Sequence, residues 1–308
     1  GFATMGVSLA PYSAAGVHNF NVCPNATAEC SKNCLGTTAG GNRRASAFKA
    51  KLLRTYYLSE HPENFARVLS QEIGEHEDWV NSHHSLHDSQ GNIVGYKHIQ
   101  TGKVTSSTPK TLSSKELSAG HDSGVYTSRP IKSGVRLNMT SDLPYEQLMP
   151  SRFFDKHKNS QFYDYTKLAT RLKRKLPSNY YIGLSHTGGN HEESNDKDVV
   201  EHLNNGGVVA MVHQKGKVTP THVEDVQTGK RWKIVNGDQD DNIFERHEKN
   251  GIPKTEGVVS GLKLKGVHNE DAGHFANKVD PDGIIRINKA ASKGKTDTEL
   301  TSMLKGIQ

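Results

Sequence analysis

From residue 135 to residue 264 the chain alternates short apolar, β-branched runs with amphipathic helical stretches, and this rhythm limits the fold more than any other feature. Strands are predicted at 135–139, 161–165, 180–184 and 208–213, with helices at 166–176 and 196–204 between them. Further strands at 232–235 and 258–264, and one near the start at 6–11, bring the total to about seven. Strands separated by helices pair in parallel, because the crossover returns the chain to the same end of the sheet. The fold class is therefore α/β, with a mostly parallel sheet, as a partial or distorted (β/α) barrel carrying a polar insertion.

The front of the chain adds two helices. The segment 42–59, NRRASAFKAKLLRTYYLS, places Ala45, Phe48, Leu52 and Tyr56 at helical spacing after the Gly40-Gly41 turn. A second helix from Pro62 to about Val80 sets Phe65, Val68, Leu69 and Ile73 on one face. Residues 82–133 then change character, being rich in Ser, Thr, His, Lys and Gly. Within them GNIVGYKHIQTGKV reads as a β-hairpin, the rest as loop, and the run HHSLH (His83, His84, His87) as exposed histidines. Residues 1–81 and 134–308 thus form one barrel-like domain into which 82–133 is inserted. A hydrophobic fraction of 33 % and a mean hydropathy of -0.69 fit a compact centre diluted by polar segments.

All the cysteines, Cys23, Cys30 and Cys34, fall in one loop, CPNATAECSKNCLGTTAGG, at C-x6-C-x3-C spacing. An odd number cannot form a complete set of disulfides, and clustered thiolates suit soft or borderline metals. A [4Fe–4S] cluster held by three cysteines keeps one iron open to another ligand. A structural zinc would need a fourth ligand, for which His18 is the nearest histidine, and a thiol redox switch without metal is the third reading.

In parallel βα folds ligands gather at the carboxyl ends of the strands, so the polar residues just past each strand are the site candidates. Asn138, Ser141 and Asp142 follow the first strand of the rhythm, and Asp164, Tyr165 and Lys167 close the next. Ser185 and His186, then His213, then Asp238, Asp240 and Asp241 end the following ones. From these, Asp142, Lys167 and Asp238 are read as catalytic. Asn138, Ser141, Tyr165, Ser185 and His186 are read as cofactor-binding, and the three cysteines as metal ligands. Each has an ordinary reading too, as a helix cap, a turn or a solvated charge.

A formal net charge of +6 favours an anionic partner, either a small or nucleotide-like molecule or nucleic acid itself. No run approaches the ~20 apolar residues of a membrane span, which places the chain in the cytoplasm and away from membranes. Neither G-x4-G-K-[ST] nor H-E-x2-H occurs, which disfavours nucleotide hydrolysis on a phosphate loop and zinc-protease chemistry.

The segments GVHNFNVCPNATAECSKNCLGTTAG, VRLNMTSDLPYE, QFYDYTK, NYYIGLSH, GGVVAMVH, NGDQDD and VVSGLKLKG together resemble the phage gene product 88 family. The resemblance implies a protein of a phage or plasmid and brings no activity with it. A cysteine loop after the first strand, followed by βα units, is also similar in layout to radical S-adenosylmethionine enzymes. There three cysteines at C-x3-C-x2-C hold a [4Fe–4S] cluster and S-adenosylmethionine takes the open iron. That likeness implies an iron–sulfur enzyme with an unassigned substrate. The competing expectation is a non-catalytic nucleic-acid-binding or host-interaction protein with zinc on the cysteine loop. Oligomeric state is not legible.

Overall fold

The computed structural model describes residues 1–11, 20–38, 44–107, 112–189, 191 and 193–288. His18 and the Gly40-Gly41 turn lie outside them.

The chain enters a large sheet with β1 (Phe2–Gly6) and then runs through the cysteine loop, which carries α1 (Ala28–Lys32) and α2 (Leu35–Thr38). Helices α3 (Ala45–Glu60) and α4 (Pro62–Asn81) follow. A side sheet is made by β2 (His83–His87), β3 (Ile93–His98), β4 (Val104–Ser106) and β5 (Thr127–Pro130), with α5 (Ser114–Asp122) preceding the last strand. The main sheet resumes with β6 (Lys132–Arg136), β7 (Ser160–Thr166), β8 (Tyr180–Ser185) and β9 (Val208–His213). Short helices α6 (Tyr145–Leu148), α7 (Phe153–Lys156) and α8 (Ala169–Leu172), and the longer α9 (Asp196–Asn204), connect them. Strands β10 (His222–Asp225), β11 (Arg231–Asn236), helix α10 (Arg246–Lys249), β12 (Val258–Lys263) and β13 (Ile284–Ile287) complete the fold.

The main sheet has nine strands in the order β1-β6-β7-β8-β9-β12-β11-β10-β13. Every neighbouring pair in it is parallel except β10 with β11. Its first five strands lie in chain order, each βα connection adding the next strand at the same side. Among the described residues β1 and β13 are its edges, so the sheet is open: a mostly parallel α/β fold, as the rhythm predicts. No described helix is long and apolar enough to cross a membrane.

Side chains alternate across each strand and feed different cores. Along β7, Phe162 joins Leu58, Phe65, Leu69 and Ile73 of α3 and α4, while Tyr163 joins Val208, Val235 and Ile243. A further core gathers Val199, Val200 and Leu203 of α9 against Val209, Val259 and Ile285.

Several local expectations are corrected. The first strand is Phe2–Gly6, not 6–11; past it Leu9 and Ala10 are fully buried in a loop, the Ala10 amide held by Thr55 Oγ1 at 2.8 Å. The strand foreseen at 135–139 is Lys132–Arg136. The helix foreseen at 166–176 shrinks to Ala169–Leu172, because the Lys167 amide is drawn to Asp142 and the Leu168 amide to Thr166 Oγ1. The hairpin at residues 91–104 is present as β3–β4, but the rest of the insertion also carries β2, α5 and β5 rather than loop alone. Leu86, Val104 and Leu117 form a small core there, and HHSLH is an inner strand whose His87 is buried, rather than an exposed run.

Candidate functional site

The carboxyl ends of β6, β7, β8, β12 and β11 and the cysteine loop surround one cavity of about 480 Å³. Cys23, Cys30, Cys34, Asn138, Ser141, Asp142, Tyr165, Lys167, Ser185, His186 and Asp238 all line it. Residues far apart in sequence meet there because parallel strands deliver all their ends to one rim.

The cysteine loop is anchored from below. Thr27 caps α1 by accepting the Cys30 amide at 3.1 Å, and Lys51, buried on α3, donates to the Gly36 carbonyl at 2.7 Å. Gly36 itself is tightly packed: a Cβ there would come within 3.0 Å of Pro11 and 3.1 Å of Thr140. The Cys23 thiol lies 3.6 Å from the Thr140 carbonyl. All three thiols are half-buried. Burial pushes the Cys34 thiol up, partly offset by the Gly36 amide. Burial pulls the Lys167 ammonium down, but the negative charge of Cys30, Asp142 and Cys23 outweighs it, and Lys167 hydrogen-bonds Cys30.

Asp142 is heavily engaged. One carboxylate oxygen accepts from Thr166 Oγ1 at 2.7 Å and Arg171 at 3.2 Å, the other from the Lys167 amide at 2.9 Å. Asn138 binds the Leu143 amide and carbonyl, accepts the Ser141 hydroxyl at 2.8 Å, and donates to Asp164. Asp164 also accepts from Tyr180 at 2.5 Å, and burial raises its carboxyl to about 6 despite Arg171 nearby. His186 is closed off: Nε2 lies 2.6 Å from Asp196 and Nδ1 accepts from Asn277 at 3.1 Å, which assigns the Nε2–H tautomer. Its ring borders the cavity without a free nitrogen.

Asp238 is held by Lys265 at 2.7 Å and by the Lys263 amide at 2.9 Å; burial works against ionisation, but these contacts keep its carboxyl below the ordinary range. Three charged lining groups carried no sequence signal strong enough to single them out. Arg136 grips Asp241 through contacts of 2.7 and 2.9 Å and lies 4.7 Å from the Tyr165 ring centre. Lys263 and Lys265 add positive charge at the rim. His213, Asp240 and Asp164 are strand-end residues by sequence, yet of these only Asp240 borders the cavity, and it is engaged by Arg246 at 2.8 Å.

Among the described residues no group of three or more His, Cys, Asp or Glu is placed to hold a metal ion. A single zinc needs its ligands about 2.0–2.3 Å from one point, whereas a cluster takes each thiolate on a separate iron.

A family model described as Gene product 88 matches residues 119–278, a little over half of the 308 residues. The matched span contains every cavity residue from Arg136 to Phe275 but not the cysteine loop. No curated protein and no solved structure matches the chain.

Proposed function

This chain belongs to the gene product 88 family, a membership that assigns no activity, and from the cavity we propose an iron–sulfur enzyme in which Cys23, Cys30 and Cys34 hold a [4Fe–4S] cluster with one iron open to the cavity. The observation that carries the reading is the meeting of three loop thiols with strand-end polar residues in a single cavity at the carboxyl rim. The proposed ligand of the open iron is S-adenosylmethionine. When bound, such a cluster supplies one electron to the ligand on that iron.

The chain's own groups have separable tasks. Lys167 sets a positive charge beside Cys30 and Cys23. Asp142 and Asn138 are positioning residues: they fix the 138–143 turn and the Lys167 backbone beneath the loop. At the rim Arg136 is matched by Asp241 and Lys265 by Asp238, while Lys263 adds a further positive charge that can meet an anionic group of the ligand. Asp238, kept ionised by Lys265, offers an acceptor for an ammonium or hydroxyl of the ligand.

The test is iron and acid-labile sulfide content with a visible spectrum on protein purified without oxygen, followed by S-adenosylmethionine binding. Brown protein with iron and sulfide supports the reading, and Cys30→Ala removes both. Colourless protein with zinc overturns it in favour of the non-catalytic alternative, a nucleic-acid-binding or host-interaction protein.

A further inference from the structure

At the opposite, amino-terminal rim of the sheet a second cavity, of about 710 Å³, opens between α4 and α7. Ser70 lines it. Its Oγ lies 2.8 Å from His157 Nε2, and His157 Nδ1 lies 3.2 Å from a Glu77 carboxylate oxygen. We propose that Ser70, His157 and Glu77 form a nucleophile–base–carboxylate triad, and that this cavity takes small carboxylic esters bearing an anionic group.

The geometry follows from the helix. Ser70 and Glu77 are seven residues apart on α4, so two turns, about 10 Å, separate them on one face. His157, just before β7, fills that gap. Glu77 is itself fixed by Ser160 Oγ at 2.6 Å, and Ser160 by Ser133 at 2.7 Å. A carboxylate on Nδ1 places the proton there and leaves Nε2 free to accept the Ser70 hydroxyl proton, the tautomer a general base needs. Lys156 Nζ donates to Ser70 Oγ at 2.9 Å and lowers the cost of negative charge on that oxygen.

In the reaction, Ser70 Oγ bonds the acyl carbon as its proton passes to His157 Nε2. The ester C–O bond then breaks, and His157 returns the proton to the departing alcohol. Water, deprotonated by the same nitrogen, hydrolyses the acyl group and restores the serine. Glu77 is the positioning residue. Arg67 and Arg152, with Lys156, line the cavity against Glu63 and Asp155, leaving an excess of positive charge for the substrate's anionic group.

This site is independent of the cysteine cavity, so metal content does not bear on it. The test is reaction of the full chain with a fluorophosphonate, in which an Oγ–P bond forms, fluoride leaves and the proton goes to His157. One equivalent on Ser70 by peptide mapping is expected. Ser70→Ala loses the label, and His157→Gln slows labelling at least a hundredfold while melting stays within a few degrees. Glu77→Gln slows it as well, and Glu77→Asp restores part of the rate. Absence of label on folded wild-type protein, or label elsewhere, overturns the triad whatever the variants do. Hydrolysis of 4-nitrophenyl succinate faster than 4-nitrophenyl acetate is expected; equal rates overturn the anion preference.

Discussion

Asp164 is the side chain whose charge the fold tolerates least. It is fully buried, and its carboxyl rises from an ordinary 3.8 to about 6 because burial outweighs the pull of Arg171. A raised carboxyl means that the folded state holds the proton more tightly. Its stabilising contribution is therefore complete below the unfolded value near 3.8 and lost as pH climbs through about 6. Two units correspond to roughly 3 kcal/mol. Subtracting the melting curve of Asp164→Asn from that of wild type should leave a difference that declines between pH 4 and 7. A flat difference would mean Asp164 is ionised throughout. Lys167→Met tests the proposed cluster site: with the stem kept and the charge gone, iron affinity under that proposal should fall roughly 10–100-fold in competition with a chelator. The cavity was legible in the sequence because strand-end polar residues of a parallel sheet must share a rim. The use of each group was not. Asp142 and His186 look equally available in sequence, yet Arg171, Thr166, Asp196 and Asn277 occupy them through hydrogen bonds that only the folded chain creates.

Among the elements, those with a strong period were readable and those set by tertiary packing were not. α9 and β9 fall where the pattern puts them, since apolar spacing there serves one core. β10 and β13 were missed: they are four-residue strands, and His222-Val-Glu-Asp has little β-branched character to announce it. β1 was misplaced because Val7–Ala10 is as apolar as a strand but spends that character on burial in the loop under α3. The cysteine loop, by contrast, rests on Lys51, a buried ammonium pulled down by burial and aimed at the Gly36 carbonyl. Lys51→Met should leave that carbonyl unpaired and cost about 1–3 kcal/mol, seen as a lower melting temperature. In metal-free protein it should also speed alkylation of Cys34, whose environment depends on the same turn. Unchanged alkylation would separate the loop from its helix support.

Across the whole molecule the question is whether the insertion belongs to the machinery of the main sheet. It carries a core of its own in Leu86, Val104 and Leu117, and none of its described residues lines the cysteine cavity. Its entry and exit strands pair with each other, His84 opposite Pro130, so the two cut ends stand roughly 5 Å apart. Replacing residues 85–129 by a four-residue Gly-Ser linker therefore asks nothing new of α4 or β6. The linker takes away the packing of Tyr96 on Trp79, ring centres 5.1 Å apart, beside the small cluster of Ala3, Val80 and Ile131. Uncovering part of one Trp costs about 1–2 kcal/mol, a fall of about 5 °C in a domain of this size. The shortened chain should still melt in one transition and match the full chain in metal content. A chain that aggregates or melts without cooperativity would show that β2 and β5 hold the β1–β6 edge in place, and the insertion would then have to be counted as part of the α/β core.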